Sequence, residues 1–146
     1  MFCNGGVGPS VERRDPSRIV LADDHEDLLR EICALLARHF EIWEAVNDGQ
    51  ALIAAARDAK PDIVISDIRM PGLNGIEACR RILRDGFCEA AVILTMHNDG
   101  KLVSQALDAG IRGYVLKMEA GEELIPAVKA VLSGCTYFSR GVRRNS

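Results

Sequence analysis

Five residues scattered along the chain have types and spacing suited to chemistry: the adjacent acids Asp23 and Asp24, the lone Asp67, then Thr95 and Lys117. Each follows directly on a short apolar run: Ile19-Val20-Leu21 (with Ala22), Ile63-Val64-Ile65 (with Ser66), a run closing on Leu94, and Tyr114-Val115-Leu116. Runs of this kind between turn formers read as buried strands. Functional groups at the carboxyl ends of parallel strands collect on one edge of the sheet. Three carboxylates gathered there repel one another and call for a hard divalent cation. Magnesium takes one or two carboxylates together with a phosphate and keeps several waters. Asp24 and Asp67 are the expected direct ligands, with Asp23 holding a water. The Thr95 hydroxyl and the Lys117 ammonium suit the oxygens of a phosphoryl group. A carboxylate can itself act as nucleophile and form an acyl phosphate, and Asp67, expected to be exposed beside the Pro71-Gly72 turn, is the candidate acceptor.

The intervening segments supply the scaffold. Leu28, Leu29, Ile32, Cys33, Leu35 and Leu36 recur at helical spacing between Glu26 and His39. Phe40 to Val46 alternates as a half-exposed edge strand and closes at Asn47-Asp48-Gly49. An alanine-rich helix over residues 50–59 runs out at Lys60-Pro61. Asn74 can cap a third helix that ends near Gly86, and a fourth helix starts near Asn98 and stops at Gly110. The strand before it spans Ala90 to Leu94, and a short fifth strand spans Gly113 to Leu116. The last helix carries Leu124, Ile125, Val128, Val131 and Leu132 and ends at Gly134. Ala120 offers no capping side chain and Pro126 fits only a first turn, so this helix is expected to begin at about residue 122 or later. Five strands alternating with five helices predict an α/β fold, an open doubly wound parallel sheet.

Composition limits what such a sheet can serve. With 146 residues the chain holds one domain, and 48% hydrophobic with 27% charged residues is an ordinary globular balance. A net charge of −3 speaks against a broad basic face for nucleic acid. No apolar stretch is long enough to span a bilayer, and the first residues lack a secretory signal, so a cytoplasmic place is expected. The five cysteines have no CxxC spacing and read as small buried hydrophobes with one terminal thiol. Residues 1–17 read as a flexible leader, 18–134 as the domain, and 135–146 as a tail or the start of a linker.

With these pieces in place, the chain resembles a receiver domain of a two-component response regulator. The likeness rests on Asp23-Asp24, the stretch DIRMPGLNG around Asp67, ILTMH around Thr95 and GYVLK ending at Lys117, in that order. It runs from about Arg18 to Gly134. MHND and SGCTYFS further resemble the NarL/FixJ branch, whose receivers precede a helix-turn-helix DNA-binding domain. The resemblance implies a flavodoxin-like strand order 2-1-3-4-5. It also implies Asp67 as phosphoacceptor, Asp23, Asp24, Asp67 and the Arg69 backbone carbonyl around Mg2+, and Lys117 and Thr95 as phosphoryl contacts. Tyr114 is implied as a switch residue that turns inward when Thr95 moves toward the phosphoryl group. The implied partners are a sensor histidine kinase, a second copy of the chain on phosphorylation, and DNA only through an output domain that this chain does not carry. Met118 departs from the Pro or Asp that many relatives place after the lysine. Arg69 and His97, two residues beyond Asp67 and Thr95, are expected to tune attack of water on the acyl phosphate.

Other functions fit less well. A phosphatase of the haloacid dehalogenase type needs a second acid two residues after its nucleophile, where this chain has Arg69. A flavodoxin wants hydroxyls and glycines after the first strand, and Asp23-Asp24 would repel a flavin phosphate. The remaining alternative is a receiver that binds a protein partner without being phosphorylated.

Overall fold

The computed structural model describes residues 16–143; the expected leader lies almost entirely outside them. In chain order the elements are β1 (Arg18–Ala22), α1 (Glu26–Leu36), β2 (Glu41–Val46), α2 (Gly49–Ala59), β3 (Ile63–Ser66), α3 (Gly75–Arg84), β4 (Ala91–Thr95), α4 (Gly100–Asp108), β5 (Gly113–Leu116), a 3-10 turn (Lys117–Glu119), α5 (Ala120–Leu132) and β6 (Tyr137–Phe138). All strand pairs are parallel, in the order β2-β1-β3-β4-β5-β6. This is the flavodoxin-like order with one strand added. The reading of five strands is corrected here: β6 has two residues, too few for a periodic signal, and it follows Gly134 where the helical pattern has ended.

Alternation along the strands explains the two-faced core. Val20, Val64, Ile93, Tyr114 and Leu116 pack on one face against Leu52, Ile76, Ile82 and Val103 of α2, α3 and α4. Ile19, Leu21, Ile63, Ile65, Val92 and Val115 pack on the other against Ile32, Leu36, Leu124 and Val128 of α1 and α5. A strand buried on both faces has no polar residue to alternate, hence the continuous apolar runs of the sequence. At the β2 edge the register slips between Ile19 and Val20, which face Ile42 and Glu44 and leave Trp43 as the extra residue. That bulge breaks the alternation expected there.

Asn74 caps its helix as expected, and Asp48 and Asp99, not foreseen as caps, do the same for theirs. Asp48, Asn74 and Asp99 accept hydrogen bonds from the backbone N–H groups of Ala51, Glu77 and Lys101, which moves the start of α4 just beyond Asn98. The start of α5 is not as expected: the helix begins at Ala120, not at residue 122 or later, and Pro126 lies inside it. The Ala120 N–H donates to the Lys117 carbonyl, so the 3-10 turn does the work of a cap. A proline inside a helix costs about 3 kcal/mol. Burying Leu124, Val128, Val131 and Leu132 returns about 1.5–3 kcal/mol each, so packing prevails. Pro126 and Glu122 face solvent, where water can take the freed carbonyl.

Among the described residues no helix is long and apolar enough to cross a membrane. Cys33, Cys79 and Cys88 are free thiols, and burial pushes Cys79 up to about 12 and Cys88 to about 11. Cys135 is buried as expected but disulfide-bonded, which corrects its reading as no more than a small buried hydrophobe.

Candidate functional site

The carboxyl ends of β1, β3 and β5 deliver the acids and the lysine to one spot. Asp23 follows Ala22, and Asp67 follows Ser66 on the neighbouring strand, in register with Ala22. Asp67 is only 6% exposed and Asp23 4%. The expectation of an exposed Asp67 is therefore corrected. Ile68 and Met70 turn their side chains into the core, and they draw the loop after β3 down around the carboxylate. Asp67 Oδ1 accepts the Ile68 N–H at 2.7 Å, and Oδ2 accepts from Lys117 Nζ at 2.8 Å. The same ammonium lies 2.7 Å from Asp23 Oδ2. Burial works against the charge on Lys117, but hydrogen bonds and charges from Asp23 and Asp67 outweigh it and raise the lysine above its ordinary value.

Asp24 completes the acidic cluster from a more open position, its side chain 34% exposed. Ligand atoms of Asp23, Asp24, Asp67 and His25 all lie within 4.8 Å of one another. Three acids against one lysine leave two negative charges uncompensated, which a divalent cation would neutralise. The oxygen-rich donor set fits magnesium. His25 joins the cluster from the N-cap position of α1, where it makes no side-chain cap bond. Its Nδ1 sits 3.4 Å from Asp23 and 3.2 Å from Asp24. Its place directly after the acid pair was the signal available for this. Arg69 stands on the exposed loop two residues past Asp67.

Thr95 and Tyr114 form a second group, linked to each other. Thr95 is fully buried as the last residue of β4, and its Oγ1 accepts the His97 N–H at 3.2 Å. Tyr114 is buried too, and its hydroxyl donates to the His97 carbonyl at 2.6 Å. Burial first, then the charges of Asp99 and Asp67, push this phenol far above its usual range. The inward ring and the threonine are thus joined through the backbone of one residue, His97. Met96 and Met118 lie open to solvent, 72% and 88% exposed, directly after Thr95 and Lys117.

Gly75 fixes the floor of the site. Its N–H donates to the Ile68 carbonyl at 2.8 Å, and a Cβ there would run into the Asp67 carbonyl oxygen and lie 2.6 Å from Ser66 Oγ. Gly75→Ala is expected to cost about 1–3 kcal/mol, as overpacking does, although alanine is the better helix former. Thermal unfolding checks this, and a variant as stable as the parent would refute the close approach.

A family model for the response regulator receiver domain matches residues 19–129. The chain is 32% identical over 130 residues to the transcriptional regulatory protein DegU of Brevibacillus brevis, covering 88% of this chain and 55% of that protein. It therefore spans about half the length of such curated relatives. Among solved structures it is similar to a LuxR-family two-component response regulator from Aurantimonas, with a TM-score of 0.81 and 33% identity over 86% of this chain and 91% of that one. It is also similar to the isolated receiver domain of RcsB from Salmonella enterica, determined with the phosphomimetic beryllofluoride, with a TM-score of 0.79 and 28% identity over 88% and 96% of the two chains. The match covers all the strands from β1 to β5 and the acids, hydroxyl and lysine at their ends, and the chain belongs to the response regulator receiver domain family, in its NarL/FixJ branch.

Proposed function

We propose that this receiver is a phosphorylation-dependent switch that takes a phosphoryl group from a sensor histidine kinase onto Asp67 with Mg2+. It then controls an output, transcription through a helix-turn-helix domain outside this chain. The observation that carries the reading is Asp67 Oδ2 at 2.8 Å from a buried lysine, with acid oxygens of Asp23 and Asp24 beside it.

The carboxylate of Asp67 attacks the phosphorus in line, the bond from phosphorus to the donor imidazole nitrogen breaks, and that nitrogen keeps the electron pair. An acyl phosphate results. Lys117, held at 2.7–2.8 Å from Asp23 and Asp67, is placed to pair with an oxygen of the arriving group. Thr95 has a hydroxyl to turn toward another, at the expense of its bond with the His97 N–H. Magnesium, held by Asp24, Asp67 and the Arg69 carbonyl with Asp23 orienting a water, would neutralise charge as it builds on the phosphoryl oxygens. The protein is on this reading a regulator, not an enzyme acting on a free substrate. It helps its own transfer and its own hydrolysis.

Incubation with acetyl phosphate and magnesium is expected to add the mass of one phosphoryl group, and no gain is expected when a chelator removes the metal before the phosphodonor is added. A chain that takes up neither phosphoryl nor beryllofluoride yet still binds its partner would be a phosphorylation-independent module instead. Water must reach the acyl phosphate past the open side, where Arg69 is exposed and His97 half-buried. Substituting Arg69 or His97 is expected to change the dephosphorylation rate, followed by the decay of the added mass; unchanged decay in both would remove them from that role.

A further inference from the structure

We infer that the outer edge of β5, with Asn98, Glu119 and Glu123, is a docking surface for the chain's own segment 137–143, and that the phosphoryl site sets its occupancy. This rests on the proposed switch.

The segment is held by many polar contacts, beside partial packing of Tyr137, Phe138 and Val142 on the core clusters. Tyr137 and Ser139 donate their N–H groups to the carbonyls of Arg112 and Tyr114 at 2.8 and 3.0 Å. The Leu116 N–H donates to Ser139 Oγ at 3.0 Å, and that hydroxyl donates to Glu119 at 2.6 Å. Glu119 also accepts the Gly141 N–H at 3.0 Å, while Glu123 accepts the Tyr137 hydroxyl at 2.9 Å and the Arg140 N–H at 3.0 Å. Asn98 grips the end from the loop after β4. Its amide donates to the Gly141 carbonyl at 2.7 Å, and its oxygen accepts the Arg143 N–H at 2.6 Å. The hydroxyl of Ser139 and the N–H of Gly141 hold the Glu119 carboxyl below the ordinary range, so these bonds belong to its ionised form.

Arg140 also approaches Glu119, Glu122 and Glu123, but at 3.4–4.0 Å and well exposed, so these ion pairs add little. Tyr137, Phe138 and Val142 are only partly buried. An element with few fully buried apolar side chains and with backbone bonds open to solvent, as those of Arg140, Gly141 and Arg143 are, lies at the low-stability end of a fold. Its departure would uncover the β5 edge and the partly buried faces of Tyr137, Phe138 and Val142, with the buried residues of both clusters still packed on the sheet.

Its contacts converge on the groups that respond to phosphate. Asn98 adjoins His97, whose N–H is held by Thr95 and whose carbonyl is held by Tyr114. Tyr114 and Leu116 are the same residues that pair with Ser139. When the Thr95 hydroxyl turns to a phosphoryl oxygen, the His97 N–H loses its acceptor. The peptide between Met96 and His97 is then free to shift, the turn through His97 to Asn98 moves with it, and the grip of Asn98 on Gly141 and Arg143 loosens. By linkage, a loosened segment favours the phosphorylated arrangement in return.

Amide exchange resolved by residue tests this on the full chain, with beryllofluoride and magnesium standing in for phosphate and their binding followed separately by fluorine NMR. Bound protein is expected to exchange the amides of Tyr137, Ser139, Gly141 and Arg143 about tenfold faster, a coupling of ordinary size. Thr95→Val, which removes the acceptor of the His97 N–H without any ligand, is expected to speed the same amides, and Asn98→Ala to tighten beryllofluoride binding. Bound protein with unchanged exchange would overturn the coupling and leave the switch standing. Failure to bind beryllofluoride would count against the switch, and unchanged exchange in Thr95→Val would then overturn the coupling by itself.

Discussion

Asp67→Asn is expected to abolish phosphorylation while keeping the fold: mass spectrometry after incubation with a phosphodonor and magnesium should show one added phosphoryl group on the parent chain and none on the variant. An amide is a poor nucleophile and could not carry the acyl phosphate that a carboxylate forms. The new side chain has the same shape, and its oxygen can still accept the Ile68 N–H that Asp67 accepts at 2.7 Å. Lys117 keeps Asp23 at 2.7 Å as a partner. Since the site carries two uncompensated negative charges before metal binds, removing one relieves repulsion. The thermal midpoint without metal should therefore be no lower than that of the parent, and magnesium should stabilise the variant less. A phosphoryl gain that survived in Asp67→Asn would move the acceptor to another residue.

Lys117→Met has the second large effect, and its direction depends on the metal. The lysine side chain is 6% exposed and lies within 2.8 Å of two carboxylates that are themselves buried. Removing one partner from a buried ionic cluster costs about 3–5 kcal/mol, because the charges left behind are neither solvated nor paired. For a domain of this length that is a fall of the melting temperature on the order of 10 °C. Magnesium held by the folded acidic cluster as proposed would stabilise the folded form alone, so millimolar metal should recover much of the loss. The gain on adding metal should exceed that of the parent, while phosphoryl uptake slows for want of the ammonium. Equal stability of variant and parent without metal would mean that water screens the cluster after all.

The contrast between these variants shows what could be read in the sequence. Asp23, Asp67, Thr95 and Lys117 were legible because each closes an apolar run, and parallel strands align such closures without help from side chains. Burial of Asp67 was not legible. It depends on Ile68 and Met70 turning inward, and a loop sequence does not show which way its side chains point. The start of α5 was misread for a related reason. Capping rules weigh the helix alone, whereas Ala120 is held by the turn before it and Leu124 and Val128 by the sheet. The contact of His25 with the acids arises from local geometry that spacing leaves open, and β6, only Tyr137 and Phe138 paired to the edge of β5, is too short to show a strand period.

The two borders of the sheet bear on how the protein behaves in a crowded solution. A long flat edge invites strands from other molecules, and folded proteins blunt such edges with bulges, charges or very short strands. At one border β2 carries a bulge at Trp43 and the acids Glu41 and Glu44, with Arg18 stacked 4.1 Å from the Trp43 ring. At the other, β6 ends the sheet after two residues. Departure of β6 would therefore expose a four-residue rim of β5, short enough to limit runaway stacking yet long enough to seat one extended strand, so the same event that frees the carboxyl end of the chain would also give the molecule, for a time, an adhesive side.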